Sequence, residues 1–378
     1  MKTQIAVVLA AFALTVMGRP AFDVDAFLGR VLKLSESTPR AELEALVKLT
    51  EKNQKEVAEV VARRLADKST KEDDKLKYVL LLGAAKQEAS VPALLDVAKA
   101  ANPTSRLYQA TSRALTNIGG DEAGAFILKN YRQNKAKMGN EQRFDAMQSL
   151  AMLKYAPAVK DAEEFLKIDP ERYFWQVYFI FGFFDDLAVP MLCEKLNDSD
   201  GLVRTNALGA IRFLMPDSAE LTKALLKRLT VEKDAKIRYQ LVETLEWNLL
   251  GQGEKGGQEL KETFRRLLKS EPKDSKAAKF MRETIESKAD ARPEIRAKFQ
   301  PNAKRFKAAY KTILDSGVHF SWDREAAREI VYCATVNDVP KLRELRRRAL
   351  YRQSDECFYD YNALTRAIMM VRAYTSGE

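Results

Sequence analysis

Histidine is nearly absent from this chain: His319 is the single copy in 378 residues. One imidazole excludes the two-histidine zinc motif of metalloproteases and leaves any histidine-dependent hydrolysis resting on one side chain. No G-x-S-x-G elbow, paired C-x-x-C or C-x-x-C-H haem attachment occurs, so the common nucleophile and redox signatures are missing as well. Three cysteines are too few for a disulfide-built scaffold. Only 16 glycines and 12 prolines are spread along a chain that is 46% hydrophobic and 31% charged, which excludes a long disordered tract. The two-residue alternation of a strand nowhere outcompetes helical spacing, and the fold class that remains is all-α.

The one long apolar run lies at the N-terminus. Lys2 precedes 13 uncharged residues, Ile5 to Met17, and Val16-Met17-Gly18 offers small or aliphatic residues for cleavage before Arg19 and Pro20. Residues 1–18 therefore read as a secretory signal, too short to cross about 30 Å of hydrocarbon as a helix. Nothing later reads as a membrane span, so the mature chain is expected to be exported, periplasmic or secreted, without a transmembrane segment.

What the chain has in quantity is a repeat. Helix-ending apolar residues fall at Leu82, Ile118, Leu153, Phe181, Leu214, Leu250 and Ile285, at separations of 36, 35, 28, 33, 36 and 35 residues. A period of that length predicts stacked antiparallel helix pairs, an α-solenoid that exposes an extended surface instead of one cleft. The clearest unit runs from Val189 to Leu214. Pro190 suits a first helical turn, Asn197 to Ser199 turn the chain, and Asp200 can cap the next helix. Val203, Ala207, Ala210, Ile211 and Leu214 then supply a buried face at helical spacing. Val-Pro helix starts recur at Val91 and Val339, and the turn Asp and aliphatic-Arg pair recur at Asp234 and Ile237-Arg238.

This unit resembles a HEAT repeat, including the Val203-Arg204 pair after the turn and the Asp within it. The resemblance covers residues 38–288 and, more weakly, 300–374; the unit at 121–153 lacks a clear Asp and Val-Arg turn. It implies a HEAT-like superhelix in which Asp200 and Arg204, and likewise Asp234 and Arg238, stack in structural ladders between units. The expected organisation is a HEAT-like array over 19–288, an irregular linker at 289–302 marked by Pro293 and Pro301, and basic helical repeats over 303–378 packed on the array.

Local patterns that suggest chemistry have simpler readings. Gly251 to Gly256 spells G-x-G-x-x-G, but a helix precedes it where a dinucleotide fold needs a strand. Asn197 to Gly201 resembles part of a calcium loop, yet Leu196 and Ala207 stand where carboxylates are required. His319 and Cys193 read as structural, and a Cys333–Cys357 bridge is compatible with export. The aromatic run from Tyr173 to Phe184 reads first as core, with Trp175 and Tyr178 as candidates for an apolar binding surface. No cofactor or metal is implied.

Charge is the remaining clue. The net charge is +10, and residues 251–378 hold 27 basic against 19 acidic residues. Lys304, Arg305 and Lys307 form one basic group, and Arg343, Arg346, Arg347, Arg348 and Arg352 another, a patch that would attract an anionic surface. The function this predicts is a non-enzymatic scaffold or adaptor that binds a protein partner. The alternatives are an anionic envelope polymer or lipid headgroups as partner, or an envelope enzyme or polysaccharide-binding protein on a helical superhelix. Export argues against nucleic acid. Lytic transglycosylases of similar shape add a domain with a Glu-Ser motif, matched here only by Glu286-Ser287.

Overall fold

The computed structural model describes residues 22–35, 38–102, 105–214, 218–250, 253–286, 297–321, 324–350 and 356–375; the proposed signal, Arg352 and residues 289–296 lie outside them. Every regular element among the described residues is helical. The chain divides into two compact units, one up to Asn134 and one from Lys135 onward. Residues 303–375 fall in the same unit as 135–286.

The first unit contains α1 (Val24–Leu32), α2 (Arg40–Lys52), α3 (Gln54–Ala66), α4 (Glu72–Ala84), α5 (Val91–Ala100), α6 (Arg106–Ile118) and α7 (Asp121–Asn134). Helix α6 packs on both α4 and α5. Its start is capped by Ser105, whose Oγ accepts from the Tyr108 N–H, and its end is set by Gly119 and Gly120, both at φ +96°. The α4–α6 contact is close: a Cβ on Gly83 would sit 2.7 Å from the Ala114 Cα.

The second unit begins with α8 (Asn140–Met152), the short α9 (Val159–Ala162), α10 (Pro170–Phe184), α11 (Val189–Lys195) and α12 (Gly201–Leu214). It continues through α13 (Ala219–Leu229), α14 (Ala235–Leu250), α15 (Gly253–Leu267) and α16 (Lys276–Glu286) to α17 (Ala303–Asp315), α18 (Glu325–Tyr332), α19 (Val339–Ala349) and α20 (Glu356–Thr375). Helices α8, α10, α12, α14 and α16 each pack on the next, while α11 packs on α12 and α13, and α15 on α16. The helix ends expected at Leu82, Ile118, Leu153, Phe181, Leu214, Leu250 and Ile285 fall at Ala84, Ile118, Met152, Phe184, Leu214, Leu250 and Glu286. Each Val-Pro pair does open a helix: α5, α11 and α19.

The aromatic run forms the centre of this unit. Phe181, Phe183 and Phe184 of α10 are fully buried together with Phe165 and Leu192. Trp175–Lys195 is long and apolar enough to cross a membrane by composition, but 61% of its apolar 18-residue window is buried and Asp185, at φ +55°, interrupts it between α10 and α11. It is a core element by packing.

Ion pairs tie neighbouring helix pairs together. The fourth residue of α8, α12 and α14 is in each case an arginine, and each reaches a glutamate further along: Arg143 to Glu164 at 3.1 Å, Arg204 to Glu232 at 3.2 Å, and Arg238 to Glu271. Arg204 also donates to the Asp198 and Ser199 carbonyls of its own turn, and Arg238 to those of Leu229 and Glu232. The implied ladder partners Asp200 and Asp234 are not in these pairs. Their shorter side chains cap α12 and α14, accepting from the N–H groups of Leu202 and of Lys236 and Ile237. At α10 the fourth residue is Tyr173, whose ring lies 5.2 Å from Phe144 instead.

Burial works against ionisation of Glu232, yet its carboxyl is held below the ordinary range because the Asp234 N–H and the Arg228 and Arg204 guanidiniums outweigh it. A lowered folded pKa stabilises the fold above the ordinary carboxylate range, and that stability is lost as pH falls through the folded value. Glu232 keeps Arg228 when Arg204 is removed, whereas among the described residues Glu271 keeps only the Ser275 hydroxyl when Arg238 is removed. Arg238→Ala should therefore cost about 3 kcal/mol of stability and Arg204→Ala about 1 kcal/mol, read from chemical denaturation of the two variants.

Candidate partner-binding surface

Three consecutive arginines on a helix point in directions about 100° apart, so Arg346, Arg347 and Arg348 of α19 cannot share a face. Arg346 points inward and is 3% exposed. Its guanidinium donates to Asp185 Oδ1 at 2.9 Å and to the Leu214 carbonyl at 2.7 Å, and lies 5.0 Å over the Tyr361 ring. The Tyr361 ring in turn stacks on Phe213 at 4.2 Å. Arg346 is thus a bolt that seats α19 and α20 against the ends of α10 and α12, and it is withdrawn from the candidate surface. The correction follows from desolvation, since a buried guanidinium needs both a carboxylate and carbonyl acceptors.

The other predicted cations separate into paired and free. Arg343 pairs with Asp186, Arg305 with Glu329, and Arg347 and Arg348 both with Glu344. Arg347 also donates to the Met152 carbonyl at 3.2 Å. Burial raises the Glu344 carboxyl, but the hydrogen bond from Arg348 and the charge of Arg347 leave it lowered overall. Lys304 and Lys307 are exposed on α17 and form no ion pair among the described residues. Arg352 lies outside the described residues.

Of the aromatic candidates, Trp175 is 46% exposed and stays a surface residue. Tyr178 does not: it is 6% exposed, its hydroxyl sits where a Cβ on Gly209 would be, and burial pushes its phenol up to about 12. Periodicity alone places Trp175 and Tyr178 on one helix face, three residues apart; only the close approach of α12 through Gly209 shows which is covered.

His319 Nδ1 lies 3.3 Å from Asp360 Oδ2, and Asp360 Oδ1 accepts from the Phe320 N–H. The pair fastens the loop after α17 to α20. None of the three cysteines forms a disulfide, so the Cys333–Cys357 bridge is absent; Cys333 donates to Glu329 instead. No family model and no curated protein matches this chain.

A further polar cluster escaped the sequence reading. On α14, Glu243 accepts from the Tyr239 hydroxyl at 2.8 Å and pairs with Arg212 of α12 at 3.0 Å. One turn on, Glu246 accepts from Thr284 of α16 at 3.1 Å. Burial raises the Glu246 carboxyl, the neighbouring Glu243 charge raises it further, and the Thr284 hydroxyl only partly offsets this. The available signal was Tyr239, Glu243 and Glu246 sharing one helix face, but nothing in the sequence says that face meets α12 and α16. Among the described residues no group of three or more His, Cys, Asp and Glu is placed to hold a metal ion.

Two outcomes follow. Arg346→Ala should cost about 3–5 kcal/mol because Asp185 is left buried with its main partner gone, whereas Arg348→Ala, at an exposed pair, should fall within about 0.5 kcal/mol of the parent; thermal melts separate them. Glu246 has a raised folded pKa, so its protonated form stabilises below the ordinary carboxylate range and that contribution is lost as pH rises through the folded value. Glu246→Gln should accordingly melt at a higher temperature than the parent at pH 7 and at the same temperature at pH 4.

Proposed function

We propose that this chain is an exported HEAT-like α-solenoid that binds an acidic protein partner and acts as a scaffold or adaptor without performing chemistry. The repeated helix ends and the row α8, α10, α12, α14 and α16, with arginine cross-links from the fourth position of α8, α12 and α14, support the solenoid. The observation that carries the binding surface is the division of the basic residues: Arg305, Arg343, Arg346, Arg347 and Arg348 are neutralised within the unit, while Lys304 and Lys307 project from α17 without an ion pair among the described residues. Cations without an internal partner add attraction over a Debye length of about 8 Å at physiological salt and act chiefly on encounter and specificity.

A second reading, a polysaccharide-directed enzyme, draws support from Glu243 and Glu246, two carboxyls on one face of α14 with different surroundings. General acid catalysis favours a carboxyl with a raised pKa, and burial gives Glu246 one.

Cross-linking in the native host, followed by mass spectrometry, tests the two readings. Capture of one reproducible acidic protein by the parent should fall at least tenfold in the Lys304→Glu, Lys307→Glu double variant while its melting temperature is unchanged. Unchanged capture overturns the α17 surface. Turnover of purified peptidoglycan that is lost in Glu246→Gln would replace the scaffold reading with the enzymatic one.

A further inference from the structure

The turns that join α13 to α14 and α15 to α16 are held side by side by the Arg238–Glu271 pair. Each turn contributes one glutamate, and both are taken inward: Glu232 is 4% exposed and Glu271 7%. Glu232 accepts from Arg204, Arg228 and the N–H groups of Lys233 and Asp234, and Glu271 from Arg238 and Ser275. The lysines of the same turns remain outside. Lys233 and Lys236 on one, and Lys269, Lys273 and Lys276 on the other, are all exposed, and none forms an ion pair among the described residues. The acids exposed on these turns are Asp234, engaged in capping α14, and Asp274. With the glutamates drawn inward, five exposed lysines stand against two exposed aspartates on the two turns. Packed helices lie about 8–10 Å apart, close to a Debye length, so the fields of the two rows overlap.

We infer that this ridge binds a linear phosphodiester polymer lying across the two turns. The choice of chemistry comes from the residue types. Arginines drawn inside this unit are matched to carboxylates, as at Glu164, Glu232, Glu271 and Asp185, where the planar fork suits them, while the exposed Arg282 donates to the Lys273 carbonyl on the ridge itself. Lysine is a mobile point charge that tracks phosphate without fixed geometry. Val231 is the exposed large hydrophobic residue on these turns, and no aromatic ring stands there to stack a base. The ligand is thus a phosphodiester chain without nucleobases. This surface is separate from Lys304 and Lys307 of α17, so the two sites fail or succeed independently.

The test uses the full chain with poly(glycerol phosphate) as probe, titrated at several salt concentrations, with single-stranded oligonucleotide of equal charge as comparison. Five phosphate contacts predict a slope of roughly −4 for log affinity against log salt. Combining Lys233→Ala, Lys236→Ala, Lys269→Ala, Lys273→Ala and Lys276→Ala should lower affinity at least thirtyfold at low salt and flatten the slope. Melting should be unchanged, because exposed substitutions of this kind leave stability within about 0.5 kcal/mol. Lys304→Ala with Lys307→Ala should bind the polymer as the parent does. Absence of binding at low salt, an unaltered slope in the five-site variant, or oligonucleotide binding more than tenfold tighter than poly(glycerol phosphate) would each overturn the proposal.

Discussion

A guanidinium removed from water must recover both its counter-charge and its hydrogen-bond acceptors, and that requirement organises residues 135–375. Arg346 satisfies it with Asp185, the Leu214 carbonyl and the face of Tyr361, three groups from three different helical segments. Arg204 and Arg238 satisfy it with turn carbonyls on one side and a glutamate of the next helix pair on the other. Each such residue can be accommodated only if its neighbours are already in place, so the pairs specify which helix follows which more than they add net stability. Apolar contact supplies the bulk of the driving force, through fully buried residues such as Phe165, Phe181, Phe183 and Phe184.

The same constraint shapes the surface. Each carboxylate drawn inward takes an arginine with it, so the inward pairs are neutral and the surface keeps the chain's positive balance. On α13 to α17 the turn glutamates are interior, and Lys233, Lys236, Lys269, Lys273, Lys276, Lys304 and Lys307 face solvent. Solubility, attraction of anions and internal cohesion are in this sense one arrangement seen from two sides.

Legibility from sequence differed sharply between fold and site. The helix ends were readable because an amphipathic helix must change face where it stops, which leaves an apolar residue followed by a break at Ile118, Leu214 and Leu250. The Val-Pro starts were readable because proline is tolerated in a first turn. The cap roles of Asp200 and Asp234 are local, yet their ladder role was assigned by resemblance and fell to Glu232 and Glu271, which reach across to arginines 28 and 33 residues earlier. Nothing local distinguishes such a glutamate from a solvated one.

By itself the sequence determined the all-α class, the spacing of the helix ends, the position of most helix boundaries and the positive balance of the chain, because each depends on short-range spacing or on composition. Only the tertiary structure decided which charges are free. Whether Arg346 is a docking residue or a buried bolt, whether Tyr178 is surface or core, and whether Glu246 is solvated or desolvated depend on which helix packs over that face. That is set by contacts between residues tens to more than a hundred positions apart, for which local periodicity carries no signal.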